Sequence, residues 1–202
     1  MEIHMKNSSD IKESIITAAT GLIQQSSGNI SEITTRAIAG KANVGIGLIN
    51  YHFQSKDNLI TICVQRIIQQ VILSFSMEGK TYTDDKERLT DWAVHVFDFL
   101  FENPAISRIS ILGDLSDYRS DCNSVKTQKG FMFALDDKVP EADKQMLSFI
   151  LTAAMQTAFL SRQITKELLG YDLDHASHRK VFITKLVKVL FNEAKKEEGD
   201  LI

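Results

Sequence analysis

The sequence predicts an all-α fold of about nine helices, and three observations carry that prediction. Apolar residues recur every three or four positions in segment after segment, the period of a helix with one buried face. No stretch alternates apolar and polar residues as a half-buried strand does. Only two prolines, Pro104 and Pro140, stand in 202 residues, so long segments run without a helix breaker. Hydrophobic residues at 44% and charged residues at 24% are the balance of a globular protein, which excludes a disordered, collagen-like or coiled-coil chain. The length fits one large domain or two small ones sharing a core.

The elements follow in order. Ile11, Ile15, Ala18 and Leu22 form one apolar stripe, with Asp10 at the N-cap and Glu13 completing a capping box. Gly28-Asn29 ends that helix. Thr34 opens a short helix over Thr35 to Lys41, a turn falls at Ala42-Asn43, and a second short helix runs from Gly45 to Phe53. Ser55 caps a longer helix reaching about Phe75, and Met77 to Thr83 reads as a loop. Asp84 to Asn103 is amphipathic through Leu89, Trp92, Val96, Phe99 and Leu100, and Pro104 stops it. Ala105 to Leu112 is a short helix, Asp114 to Ser124 a polar loop, and Val125 to Lys138 another helix. Glu141 to Leu169 is apolar almost all round, so it must be covered on most sides. Gly170 ends it, and Asp174 to about Lys195 is the last helix, with Phe182, Leu186, Val189 and Leu190 inward. The tail KKEEGDLI reads as frayed.

Several classes of function find no support. No GxSxG, HExxH or P-loop is present, so the chain is not read as an enzyme and no cofactor is expected. Gly45-Ile-Gly47-Leu-Ile-Asn50 imitates a dinucleotide loop but lacks the third glycine and a preceding strand. His175 and His178 beside Asp172 and Asp174 imitate metal ligands, but they read as the solvated first turn of the last helix, and no metal is expected. His95 reads as a partly buried core residue. Cys63 and Cys122 are too few for a disulfide framework and read as apolar side chains in a reducing, cytoplasmic setting. The N-terminus is polar rather than signal-like, and no run approaches the roughly 20 apolar residues of a membrane span.

Two short helices joined by a tight turn, early in an all-α chain, outline a helix-turn-helix. Ile38, Ala39, Ala42, Val44, Leu48 and Ile49 supply the small core that fixes their crossing angle, and Ala39 and Ala42 are small enough for close approach. Within 33–59 the residues Thr34-Thr35, Ile38-Ala39, Ala42-Asn43-Val44, Tyr51-His52-Phe53 and Ser55-Lys56 stand at the spacing of a DNA-binding signature. That stretch resembles the TetR family of bacterial transcriptional repressors. The resemblance implies a helix-turn-helix DNA-binding domain over 1–56 and a helical ligand-binding and dimerisation domain over 57–202.

By that resemblance the recognition helix shows Gly45, Ile46, Gly47 and Asn50 to the major groove. Asn50 suits an adenine edge and Ile46 a thymine methyl. Thr34, Thr35, Tyr51, His52 and Lys56 fall at positions that clamp phosphates, and Arg36 is counted with them as a DNA-binding residue. Asn43 stands where the family usually has Gly; Asn tolerates the left-handed conformation such a turn requires. Gly45-Ile46 stands where many members have Ser-Lys, so the family's operators do not transfer. Gly45 and Gly47 each lower the helix's intrinsic stability by about 1 kcal/mol, which predicts fraying off DNA.

The resemblance also implies a homodimer through the last two long helices, a palindromic double-stranded operator, and release by an unidentified hydrophobic small-molecule inducer. Trp92, Phe97, Phe101, Met132, Met155 and Phe159 are the candidates to line its pocket, and the helix Lys56 to about Phe75 is the expected mechanical link. Two alternatives stay open: a ligand-independent activator on the same fold, and a helical small-molecule-binding protein that does not engage DNA. The net charge of −3 argues against nucleic acid only as an average. Residues 1–56 carry five bases and four acids, and 33–56 hold Arg36, Lys41 and Lys56 with no acid. Three bases predict a shallow salt dependence for a repressor.

Overall fold

The helical periodicity resolves into ten α-helices and one 3-10 turn, with no strand, among the residues that the computed structural model describes: 7–74, 80–136 and 138–197. None of the described helices is long and apolar enough to cross a membrane. The end of the helix at Phe75, the first three residues of the loop from Met77 and the last residues of the tail lie outside the described residues. The chain divides into two compact units. One holds the residues up to Ser74 together with Asn103–Gly113; the other holds 75–102 and 114–202.

The first unit begins with α1 (Ser8–Gln25), which buries Ile15, Ile16, Ala18, Ala19 and Ile23. Its N-terminus departs from the expected capping box. The helix starts before Asp10, the N-cap position is Asn7, and no side chain caps it. Glu13 instead binds Arg66 of α4 (Lys56–Ser74) through both carboxylate oxygens, at 2.6 and 2.8 Å. A bidentate guanidinium is a stronger partner than one backbone N–H. The helix ends before the expected Gly28-Asn29, at Gln25 with Ser26 as its C-cap, and Gly28 (φ 84°) follows in the connecting turn. A Cβ there would lie 2.9 Å from Arg108 Cβ and 3.1 Å from the Ala105 carbonyl, so both conformation and space require glycine. A 3-10 turn at Ile30–Glu32 leads into α2 (Thr35–Ala42), and α3 (Ile46–Phe53) follows. Ile38, Ala39, Ala42, Ile49 and Phe53 join Leu59, Ile60, Cys63 and Val64 of α4 in one buried cluster. Ile106 and Ile109 of α6 (Pro104–Ser116) complete it. Burial pushes the Cys63 thiol up, and its Sγ–H points at the Ile16 carbonyl, so it behaves as a core residue.

In the second unit, α5 (Asp85–Glu102) is capped by Asp84, whose carboxylate accepts from Glu87 N at 2.8 Å. Helix α7 (Asn123–Phe133) packs on α8 (Glu141–Leu160), and α10 (Ala176–Glu197) packs on α5. Pro104 is the first residue of α6, where its missing N–H costs nothing. That helix continues to Ser116, so the loop expected over 114–124 shrinks to 117–122.

The segment expected as one helix over 141–169 is two, which makes ten helices rather than about nine. Helix α8 stops at Leu160 and α9 (Thr165–Leu169) follows. Ser161 donates its hydroxyl to the Thr157 carbonyl at 2.7 Å and Thr165 donates to the Arg162 carbonyl at 2.9 Å. Such side-chain bonds compete with the helical ladder. In α10, Val189 is half exposed rather than inward, and Ile183 and Val187 are buried instead. The stripe rotates because Arg179 is itself buried: its Nε binds Asp98, and its Nη1 donates to the Leu173 and Asp174 carbonyls at 3.1 Å.

Candidate nucleic-acid interface

The turn between α2 and α3 is set by backbone geometry that the sequence encodes locally. Thr34 Oγ1 accepts from Ala37 N at 3.1 Å and starts α2. At the other end Asn43 adopts the left-handed conformation (φ 53°, ψ 52°). Asn43 N donates to Gly40 O at 3.2 Å and Val44 N to Ala39 O at 3.0 Å, the paired bonds of a Schellman motif. Asparagine takes this role without the steric penalty of a β-branched residue. Gly45 is the N-cap of α3 (φ −71°, ψ 145°), outside the helix proper.

Helix α3 then has two unlike faces. Ile49 and Phe53 are buried, and Leu48 packs against the same core. Ile46, Gly47, Asn50 and Tyr51 point outward; Ile46 is 45% and Tyr51 79% exposed. An exposed isoleucine, asparagine and tyrosine, on a helix of eight residues whose other face is buried, give α3 an amphipathic outer surface. The exit from α3 is pinned too. Gln54 has φ 66° and ψ −43°, and Ser55 N donates to Phe53 O at 2.7 Å, a γ-turn with positive φ. Asn58 Nδ2 donates to the same Phe53 carbonyl at 2.9 Å, and Ser55 Oγ caps α4 by accepting from Asn58 N at 3.0 Å. Gln54, exposed beside Asn50 and Tyr51, extends the outward face and was not singled out from the sequence. Its i+4 spacing from Asn50 was the available signal.

The remaining expected contacts divide by environment. Thr34 and Arg36 are exposed, and Thr35, His52 and Lys56 are half-buried. Thr34 spends its oxygen on the helix cap but keeps its hydroxyl proton for an external acceptor. The His52 ring lies edge-on to Tyr51 at 5.0 Å and tilted to Phe53 at 6.1 Å, which ties it to both faces of α3. Lys56 Nζ donates to the Ile30 carbonyl at 3.1 Å, so this ammonium is folded back on its own unit. Lys12 stands over the Phe53 ring at 5.9 Å and adds a cation near the end of α3.

The six aromatic and methionine residues expected near a ligand fall into three surroundings. Phe97, Phe101 and Phe159 form a chain of rings with centroids 5.1 and 5.4 Å apart, which Phe182 extends at 5.7 Å from Phe97. The Arg179 guanidinium covers Phe101 at 5.0 Å. Met155 is buried, and Trp92 lies against Gly130, 3.4 Å from where a Cβ would sit. Met132 lines a cleft of about 340 Å³ with Phe133, Lys129 and Lys144. Two further clefts open in the same unit. One of about 680 Å³ is lined by Lys80, Tyr82, Asp91 and Lys180, among others. The other, of about 280 Å³, lies among α6, α7 and α8. His175 pairs with Asp172 at 3.4 Å, and His178 Nδ1 accepts from Asp172 N; among the described residues no group of three ligands is placed to hold a metal ion.

Comparison with known proteins agrees with this geometry. Residues 15–61 match the family model described as bacterial regulatory proteins, tetR family. A TetR transcriptional regulator from Rhodococcus sp. RHA1 superimposes with a TM-score of 0.61 at 14% identity, over 91% of this chain and 97% of that one. A TetR transcription regulator from Haloarcula marismortui ATCC 43049 gives 0.59 at 15% identity, over 90% and 98%. A second Rhodococcus sp. RHA1 protein, a TetR-like transcriptional regulator, gives 0.58 at 14%, over 89% and 94%. No curated protein matches the sequence.

Proposed function

We propose that this chain, which carries a tetR-family domain at residues 15–61 within a TetR-like fold, is a homodimeric transcriptional regulator that binds a palindromic operator as a repressor. The observation that carries the reading is the outward face of α3. Ile46, Gly47, Asn50 and Tyr51 stand exposed on a helix whose opposite face is locked into the core. In this reading Asn50 makes paired hydrogen bonds to an adenine edge and Ile46 meets a thymine methyl. Gly45 and Gly47 let the backbone come close. Thr34, Thr35, Arg36, Tyr51, His52 and Lys56 hold phosphates and set the register. Lys56 first gives up, or shares, its bond to Ile30. DNA binding is assigned to residues 1–56, and ligand binding and self-association to 57–202.

Exposed apolar side chains support the dimer. Met146, Phe149 and Ile150 stand out on α8, and Val181 and Val189 on α10. A two-fold pairing through these helices buries them and presents two copies of α3 to half-sites about 34–36 Å apart. The clefts of the second unit offer room for an inducer that favours a conformation poorly spaced for the operator. The test is selection of bound sequences from random duplexes by the full-length protein. A palindrome is expected to enrich, and Asn50→Ala is expected to weaken binding to it more than to random DNA. No enrichment, or equal losses on both, refutes the reading.

A further inference from the structure

The groove of about 280 Å³ among the end of α6, α7 and α8 has walls unlike those of the other two clefts: no charged side chain lines it. Tyr118 and Phe149 supply aromatic surface, and Ala153 leaves one side open. Its polar groups are few, and two of them are oriented by the protein. Ser124 donates its hydroxyl to Asp114 Oδ2 at 2.7 Å, so the same oxygen must accept from Gln156 Nε2, also at 2.7 Å. That relay fixes the Gln156 carboxamide with one N–H donated to Ser124 and its oxygen unspent. Gln128 repeats the arrangement by donating Nε2 to the Tyr118 hydroxyl at 2.7 Å. Thr152, only 3% exposed, also lines the groove, and its Oγ1 has no protein partner. Native proteins rarely leave a buried hydroxyl in that state.

We propose that this groove binds a neutral, amphipathic small molecule that carries a hydrogen-bond donor on an aromatic body. The chemistry follows from the walls. Two carboxamide oxygens held in place call for N–H or O–H donors, aromatic walls call for a flat apolar body, and the lack of a lining charge disfavours an ion. The proposal rests on the ligand-responsive reading above and gives it a site and a ligand class. Phe149 belongs both to the groove wall and to the α8 face, with Met146 and Ile150, that is proposed to self-associate, so a second copy of the chain is the competing occupant.

The test uses full-length protein and N-phenyl-1-naphthylamine, a neutral aromatic amine whose fluorescence rises on binding. Saturable binding at one site per protomer is expected. Ala153→Trp fills the groove and should weaken it at least tenfold. Gln156→Met removes the acceptor and should weaken it at least threefold. Lys180→Ala, in the 680 Å³ cleft, should leave it within twofold, and the anionic anilinonaphthalene sulfonate should bind at least tenfold more weakly. Circular dichroism and sedimentation check that each variant is folded and in its usual association state. Absence of saturable binding, or affinity within twofold in Ala153→Trp, overturns the proposal. So does binding that emerges only when dilution dissociates the protein, because the groove then belongs to a second copy. Binding that leaves the operator complex intact keeps the site and refutes ligand-responsiveness. Release that persists in Ala153→Trp refutes the site and keeps ligand-responsiveness.

Discussion

Gly45 and Gly47 stand two residues apart at the start of α3, yet replacing each by alanine should move stability in opposite directions. Gly47 lies inside α3 with helical backbone, and a Cβ added there meets nothing within 4 Å. Gly47→Ala therefore changes no packing and gains only helix propensity, about 0.5–1 kcal/mol. Gly45 is the N-cap, in an extended conformation, and a Cβ there also meets open space. At that position alanine is poorer than glycine, because it neither caps nor permits water to solvate the free N–H groups as well; the loss is several tenths to about 1 kcal/mol. Amide hydrogen exchange on the free protein reads both changes. One kcal/mol is about a fivefold change in the opening equilibrium, so the amides of Asn50 to Gln54 should exchange about two- to fivefold more slowly in Gly47→Ala. They should exchange faster by a similar factor in Gly45→Ala. Equal effects of one sign would refute the assignment of Gly45 as cap. Amides in the parent that are already as protected as those of α4, with no change in Gly47→Ala, would refute the expectation that this helix frays off DNA.

Other consequences follow from single contacts. Asn43→Ala should lower stability by about 1–2 kcal/mol in urea unfolding while Asn43→Gly stays near neutral, because the left-handed conformation burdens only the residue with a Cβ and no local polar bond. Arg179→Met leaves Asp98 without its partner in the second unit and should cost about 3–5 kcal/mol; the double variant with Asp98→Leu should recover much of it. The Arg66 guanidinium holds the Glu13 carboxyl below its ordinary 4.5, its hydrogen bond outweighing the small effect of burial. Since the folded carboxyl is the stronger acid, its contribution is present above the unfolded value and lost as pH falls through the lowered one. Thermal unfolding of Glu13→Gln followed from pH 6 to pH 3 should therefore decline less than the parent's; an identical decline would show that the pair does not contribute.

Much of the helix-turn-helix was legible in the sequence because its determinants are local. Thr34 as cap, Asn43 as turn and the core positions Ile38, Ala39, Ala42 and Ile49 act within a few residues of themselves, so spacing and residue type sufficed. The failures lie where a distant partner decides. Glu13 reads as half of a capping box until Arg66, 53 residues on, takes both its oxygens. Val189 reads as inward until Asp98 and two carbonyls draw Arg179 into the core and rotate the buried stripe of α10. The helix over 141–169 reads as continuous because apolar periodicity does not register hydroxyls that bond to carbonyls at Ser161 and Thr165.

By itself, then, the sequence determined the helical class, the order of the elements and the outward residues of α3, since helix periodicity, caps and turn conformations are short-range. Tertiary structure alone decided which aromatic residues are packed rings and which line clefts. Phe97, Phe101 and Phe159 pack edge to face while Tyr118 and Phe149 wall an open groove. Composition and spacing are the same in both cases. What separates them is the position of neighbours brought together by folding: Arg179 covers Phe101, and no larger side chain fills the space left beside Ala153.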